Sequence, residues 1–204
     1  MWLAALLAVP ALAAELHVQV RDPAGRGVAD AVIYAMPASG PSEARLGKTA
    51  AVEQIDREFV PTVTVIQTGT AVVFPNRDPI LHHVYSFSAA KTFEIKLYTG
   101  KSPREIVFDK PGVVTLGCNI HDWMLAFIAV VSTPHFGKTD ASGKARLRDL
   151  PPGAYDLFAW HPNQRSAPQP IKIAVDGADN IASFVIETVA TKTRYKPPLD
   201  RMRY

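Results

Sequence analysis

The residue types best suited to chemistry lie on one short segment near the middle of the chain. Residues 118–124 read CNIHDWM, so that a thiol, an imidazole and a thioether follow one another at intervals of three residues. A soft thiolate, two imidazoles and a weakly bound thioether form a donor set that suits copper in both of its common oxidation states. Cys118, His121 and Met124 supply three of these donors. The segment therefore predicts a copper site that needs one more imidazole from elsewhere.

A second segment offers that imidazole in two adjacent positions. Residues 76–84 read NRDPILHHV and follow an apolar run that is typical of a strand. If the residues after 80 alternate as in a strand, His83 shares the more apolar face with Tyr85 and Phe87 and points inward. A strand that begins with irregular backbone would instead turn His82 toward the site. The residues alone leave His82 and His83 as alternatives.

Together the two segments resemble the cupredoxin family, which includes plastocyanin, azurin and amicyanin. NRDPILHHV resembles the family's Asn-x-x-x-x-x-His-x-Val strand end, and the C-x-x-H-x-x-M loop after the Pro-Gly pair at 111–112 resembles its C-terminal ligand loop. The spacing of that loop is most similar to the short loop of amicyanin. Two positions depart from the pattern, because His83 stands where the family often has Asn and Leu116 where it often has an aromatic residue. The resemblance covers residues 57–131 and favours His82 as the first ligand.

The resemblance implies a type 1 (blue) copper protein that passes single electrons between redox partner proteins. One copper ion per chain would be held by His82, Cys118, His121 and Met124, with Met124 as the weak axial ligand. His83 would lie beside the site or on the surface. Four protein donors leave no open position for a substrate, which favours an electron carrier over an enzyme.

Electron exit is expected at His121, because the resemblance places this imidazole at the edge of the site. Ile120, Trp123 and Pro134 would supply an apolar docking surface near it. Two other functions stay open: copper delivery or storage, and a β-sandwich assembly module in which copper is incidental. Zinc suits the donors less well, since it rarely binds a thioether.

The remaining sequence predicts an all-β fold. Seventeen prolines and twelve glycines separate short runs rich in Val, Ile, Thr and Phe, which is typical of many short strands joined by turns. We expect loops or looser segments at 37–50 and 89–105. Strands are expected at 16–21, 31–36, 59–74 with a turn at Gly69, 82–88, 105–109, 113–116, 125–131, 171–175 and 182–187.

The chain is expected to hold two β-sandwiches. The segment LPPGAY at 150–155 and the turns around it resemble the prealbumin-like sandwich of carboxypeptidase regulatory-like modules. The expected division is a signal peptide (1–14), the first strands of the prealbumin-like sandwich (15–56), a Greek-key cupredoxin domain (57–132), the rest of the prealbumin-like sandwich (133–190) and a basic tail (191–204). Chains that join these two modules resemble methylamine-utilisation components.

Composition and the N-terminal segment indicate an exported protein. Residues 1–14 are short and apolar, and they end in a small-x-small pattern that predicts cleavage near Ala13 or Ala14 and a periplasmic location. In that oxidising compartment Cys118, the only cysteine, has no partner for a disulfide within the chain. With 22 basic and 19 acidic residues the chain lacks the charge of a nucleic-acid binder. No segment is long enough to span a membrane stably.

Overall fold

The computed structural model describes residues 14–43, 46–176 and 180–189, and within them all regular structure is β-strand. The strands are β1 (Ala14–Arg21), β2 (Val32–Pro37), β3 (Thr49–Ala51), β4 (Glu53–Ile55), β5 (Glu58–Val60), β6 (Val63–Gln67), β7 (Thr70–Val73), β8 (His82–Ser88), β9 (Lys91–Tyr98), β10 (Ile106–Phe108), β11 (Gly112–Gly117), β12 (Leu125–Val131), β13 (Phe136–Lys138), β14 (Lys144–Leu150), β15 (Gly153–Trp160), β16 (Ile171–Val175) and β17 (Asn180–Val185). The predicted all-β fold is confirmed.

Parts of the predicted organisation fall outside these residues. The signal peptide, except for Ala14, and the basic tail at 191–204 are not among the described residues. In the part of the chain that the structure describes, no helix has the length and apolar character needed to cross a membrane.

The middle of the chain forms a first sandwich. A five-stranded sheet in the order β6-β12-β11-β8-β9 and a three-stranded sheet in the order β10-β7-β3 share one hydrophobic core. Its largest fully buried side chains include Phe59, Phe74, Phe108, Leu116 and Ile128. Strands from both sheets contribute apolar residues at every second position, because successive side chains of a strand point to opposite faces.

The topology of this sandwich brings the two candidate segments to one end of the sheet. After the β8–β9 hairpin the chain crosses to the other sheet as β10 and returns as β11, where Gly117 pairs with Tyr85 of β8. This return beside an earlier strand is a Greek-key connection. Gly117, the last residue of β11, also pairs with Leu125, the first residue of β12. The loop at 118–124 therefore leaves the sheet at the same end at which the chain enters β8.

The two ends of the described chain form a second sandwich. The sheets β14-β1-β17 and β13-β2-β15-β16 enclose another core, which includes the fully buried Leu16, Ile33, Leu150 and Leu157. These two sheets combine strands from before and after the first sandwich, and their assignment to a prealbumin-like domain stays a prediction. The exact boundaries at 56/57 and 132/133 stay a prediction.

Strand β12 contacts both sandwiches through its alternate residues. Ile128 and its inward neighbours belong to the core of the first sandwich. Ala129 points the other way and packs with Val63 and with Val32 of the second sandwich, beside the half-buried Trp160. The second sandwich therefore covers part of the outer face of the five-stranded sheet.

The chain crosses between the sandwiches at two points that lie side by side. The N–H of Ala35 donates to the carbonyl of His135, and the N–H of Ser42 donates to the carbonyl of Ser132, each at 2.9 Å. The buried hydroxyl of Thr133 also donates to the carbonyl of Ala35, at 2.8 Å. These bonds hold the outgoing and returning chain together.

One sequence prediction is wrong for the segment at 89–105. It contains the regular strand β9, whose Phe93 and Ile95 are buried while Thr92, Glu94 and Lys96 between them are exposed. The charged residues made the segment look irregular, yet they occupy the solvent face of an amphipathic strand. The predicted loop at 37–50 likewise ends in the short β3, which starts at Thr49.

Candidate metal centre

The structure brings three of the four predicted ligands into one buried cluster. The ligand atoms of His82, Cys118 and His121 all lie within 4.8 Å of one another. The Nδ1 atoms of the two imidazoles are 3.1 Å apart, and Cys118 Sγ is 3.7 Å from His121 Nδ1. His82 and His121 are completely buried, and Cys118 is 4% exposed.

These distances fit the ligands of a single first-row metal ion. Two nitrogen ligands about 2.0–2.1 Å from such an ion lie roughly 3.3 Å apart in a tetrahedral arrangement, and a nitrogen and a thiolate sulphur lie roughly 3.6 Å apart. The corresponding distances in the chain are 3.1 Å and 3.7 Å. These two pairs of donors are therefore spaced as ligands of one ion, and the third pair, His82 and Cys118, lies within 4.8 Å.

Asn76 fixes the segment that leads into His82. Its buried amide Nδ2 donates to the carbonyls of Ile80 and Tyr98, both at 2.8 Å, and its Oδ1 accepts the N–H of Asp78 at 2.9 Å. This closes residues 76–80 into a compact loop and attaches the loop to β9. The Asn of the predicted motif thus has a structural task, which is to hold the chain just before the first imidazole.

Tyr98 also stabilises the segment before the loop at 76–80, through its hydroxyl group. Burial raises the pKa of its hydroxyl to about 12, so that the group stays protonated and donates to the carbonyl of Phe74. Gln54, which is also buried, donates its Nε2 to Tyr98 Oη at 2.5 Å and to the Phe74 carbonyl at 3.1 Å. Sequence reasoning missed Gln54 and Tyr98, because neither belongs to a recognisable motif.

The structure places His82, and not His83, beside Cys118 and His121. The register of β8 against β9 shifts between His82 and Val84, so that β8 begins irregularly. His83 is also buried, but its Nε2 pairs with Glu94 at 2.9 Å and its ring packs on Tyr85.

The interpretation based on strand alternation is wrong about which face of β8 enters the core. Val84 and Ser86 are completely buried, whereas Phe87 is 82% exposed. The face that carries His83, Tyr85 and Phe87 is apolar but lies on the outside of the sheet. Hydrophobic character alone therefore pointed to the wrong face.

The loop at 118–124 turns back on itself between the second imidazole and the thioether. The N–H of Met124 donates to the carbonyl of His121 at 2.9 Å. Met124 is 2% exposed, and its side chain packs in the same core cluster as Cys118. The fourth predicted ligand is thus buried at the base of the loop.

The imidazole of His121 is not exposed, contrary to the expected role of this residue as the edge of the site. The ring of Trp123 packs against it with centroids 5.1 Å apart. Ile120 is 37% exposed on the same loop, whereas Pro134 lies away from the loop, beside β3 and β6. The accessible surface near His121 is therefore formed by its neighbours.

Asp78 is a residue of the site that sequence reasoning passed over. Its Oδ2 lies 2.7 Å from Nε2 of His82, and the carboxylate also accepts the backbone N–H groups of Asp56 and Arg57. Burial alone would raise the pKa of Asp78, but the hydrogen bonds from His82 and from these N–H groups outweigh it and lower the pKa. An ionised Asp78 assigns the proton of His82 to Nε2 and leaves Nδ1 free to face the cluster.

The imidazole of His121 is neutral because of its surroundings. Burial, together with the nearby His82 and Arg57, lowers the pKa of His121 to about 4. A metal ligand must offer an unprotonated nitrogen. At neutral pH the fold thus presents His121 as a neutral imidazole, the form that can bind a metal ion.

Comparisons with known proteins found similar solved structures, each less than 25% identical to this chain. No family model matches the chain, and no curated protein matches its sequence. Solved structures that are similar to it include a copper-containing nitrite reductase from Thermus scotoductus SA-01, with 24% identity, 47% of this chain and 25% of that chain covered, and a TM-score of 0.39. A purple cupredoxin from Nitrosopumilus maritimus has 22% identity, 40% and 98% coverage and a TM-score of 0.36. Amicyanin from Paracoccus versutus has 15% identity, 47% and 90% coverage and a TM-score of 0.35.

The pKa of His121 generates a prediction for the metal-free protein. We expect its imidazole to stay neutral as the pH is lowered, until about pH 4. The unfolded chain takes up this proton near pH 6.5, so that this residue lowers the stability of the metal-free protein as the pH falls from about 6.5 toward 4. Proton–nitrogen NMR of the imidazoles measures the titration directly. The same chain in urea is the control, and a His121 midpoint near 6.5 in the folded protein would contradict the expectation.

Proposed function

We propose that this chain is a cupredoxin-type copper protein that carries single electrons between redox partner proteins. His82, Cys118, His121 and Met124 would hold one copper ion per chain. The observation that supports the proposal most directly is the convergence of two imidazoles and a thiol, with atoms 3.1 Å and 3.7 Å apart, at the end of a β-sandwich. Bound copper would supply the one-electron redox chemistry.

The protein residues have distinct tasks in this proposal. His82 and His121 offer imidazole nitrogens, Cys118 offers a soft thiolate, and Met124 offers a weak axial sulphur. The hydrogen bonds of Asn76 and the buried surroundings of the loop restrict the movement of these donors. Donors that are held in place need to move little when the charge at the site changes, which favours fast electron transfer.

Burial of the donors favours an electron carrier over the alternative functions. The three clustered side chains are at most 4% exposed, and Trp123 covers His121. An enzyme needs a position that a substrate can reach, and a delivery protein must release its metal readily to a partner. We therefore propose that the chain keeps its copper and exchanges electrons instead.

We also propose that the protein is exported and cleaved before Ala14. Ala14 is 2% exposed and pairs with Leu150 as the first residue of β1. Cleavage after Ala13 keeps this residue, whereas cleavage after Ala14 removes a buried part of the strand. The periplasmic location, the division into a copper domain at 57–132 and a flanking sandwich, and a methylamine-utilisation type of role belong to the same proposal.

The first prediction concerns the thiolate. Purified protein should bind one Cu(II) ion and become intensely coloured, because a copper-bound thiolate absorbs visible light by charge transfer from sulphur. Cys118→Ser should abolish that band, since a hydroxyl is a poor substitute for the thiolate. Absorption spectroscopy during copper titration is the measurement. A coloured wild-type protein whose Cys118→Ser variant keeps the same band would show that the thiolate lies elsewhere.

The second prediction concerns the thioether. Met124→Leu should retain copper and the visible band, because an axial thioether contributes little to affinity, and the reduction potential should rise. Leu also fills a similar volume in the core, so the fold should persist. Protein film voltammetry measures the midpoint. Complete loss of copper from a folded Met124→Leu protein would contradict a weak axial role.

The third prediction distinguishes the two adjacent histidines. His82→Gly should lose the wild-type spectrum and regain part of it when imidazole is added, because removal of an equatorial ligand leaves a gap that imidazole can fill. His83→Gly is the matched control and should keep the spectrum, since its side chain pairs with Glu94 outside the cluster. Visible and electron paramagnetic resonance spectra of both variants decide the matter. The reverse result would assign the ligand to His83.

A further inference from the structure

The tight turn between β4 and β5 contacts the site from outside. Ile55 pairs with Glu58, so that Asp56 and Arg57 form a two-residue hairpin loop with φ values of +52° and +60°. Two successive left-handed residues are the mark of a type I′ turn, which normally selects Gly or Asn. Arg is disfavoured in this conformation. Such backbone persists where surrounding contacts impose it, and it is frequent next to functional sites.

The turn donates two hydrogen bonds to a single carboxylate. The N–H of Asp56 donates to Asp78 Oδ1 at 2.7 Å, and the N–H of Arg57 donates to Asp78 Oδ2 at 2.8 Å. Oδ2 also accepts from Nε2 of His82 at 2.7 Å. The Asp78 side chain is 10% exposed and that of His82 is completely buried. Both oxygens of Asp78 are thus fixed, and the carboxylate fixes the imidazole.

The same turn contacts the second imidazole through Trp123. Nε1 of Trp123 donates to the carbonyl of Arg57 at 3.0 Å, and the Arg57 guanidinium lies 6.0 Å from the centre of the indole ring. The indole in turn packs against His121. One residue of the turn therefore supports Asp78 with its N–H and Trp123 with its C=O.

We propose that the Asp56–Arg57 turn is a brace that orients both histidine ligands, with Asp78 and Trp123 as the positioning residues; this inference rests on the proposed copper site. Asp78 keeps the His82 proton on Nε2, so that Nδ1 faces the cluster. A carboxylate bonded to a ligand imidazole also makes the ligand a better electron donor. Asp78 therefore favours the more highly charged, oxidised form of the site and lowers its reduction potential.

The first arm of the test needs no metal. In the metal-free wild-type protein, proton–nitrogen NMR should show His82 as a single tautomer with its proton on Nε2. Asp78→Ala should give a mixture of tautomers. Glu94→Ala is the matched control, because it removes a carboxylate from the neighbouring pair with His83 and should leave His82 unchanged. If His82 keeps the single tautomer in Asp78→Ala, the brace is overturned.

The second arm uses Cu(II). Asp78→Ala should keep the visible band, lose about 10- to 100-fold in copper affinity and show a higher midpoint potential, whereas Glu94→Ala should match the wild type. Trp123→Phe keeps a ring against His121 but loses the bond to Arg57, and should lower the affinity by a smaller factor. If Asp78→Ala does not fold, Asp78→Asn keeps the size, removes the charge and should still raise the potential.

These outcomes distinguish a failure of the brace proposal from a failure of the proposed function on which it rests. A wild-type protein that binds no copper overturns the proposed function, while the tautomer of His82 still tests the brace. A coloured wild-type protein whose potential and affinity are unchanged by the Asp78 and Trp123 substitutions overturns the brace alone. A purely structural role for Asp78 would lower stability without moving the potential or the tautomer.

Discussion

Two imidazoles and a thiol are removed from water in one place, and the surrounding structure must compensate for the loss of their hydration. An unpartnered buried polar group costs roughly 2–7 kcal/mol, depending on the reference state. His82 finds its partner in Asp78, which in turn receives N–H groups from the hairpin turn. His121 is held neutral by its burial. The hairpin, the loop before β8 and the end of β9 are arranged around this requirement.

These hydrogen bonds around the imidazoles explain why the fold contains small elements that add little hydrophobic burial. Strands β4 and β5 have three residues each and form a separate two-stranded sheet. Such a hairpin has marginal stability by itself. It is held by Phe59, which is fully buried in the core, and by the hydrogen bonds at its tip. The hairpin is therefore a support for the ligand loops more than a part of either main sheet.

Sequence reasoning predicted what is encoded locally. The spacing of Cys118, His121 and Met124 lies within one loop, and the strand at 125–131 is an apolar run with residues of high β propensity. The all-β class followed from the alternation of such runs with Pro and Gly. The position of His82 came from a motif, because the local alternation pattern favoured the wrong face of β8.

Contacts between residues that are far apart in sequence could not be predicted from the sequence. Asp78 receives its N–H groups from a turn 21 and 22 residues earlier, and Trp123 donates to a carbonyl 66 residues away. No local pattern reports such pairs. The burial of His121 was missed for the same reason, since it depends on where Trp123 packs. Strand β9 was missed because its charged residues, which are exposed in the fold, hid a period of two.

The paired crossings between the sandwiches give the first sandwich an influence on the assembly of the second. Closing a flexible loop of roughly 90 residues costs about 4 kcal/mol in chain entropy, apart from a constant. The first sandwich, once folded, already holds Ser42 next to Ser132. It thereby removes this cost for the strands on either side, so that β2 and β13 meet as if they were neighbours in sequence. Any ligand that stabilises the first sandwich therefore also stabilises the second sandwich, although it does not contact it.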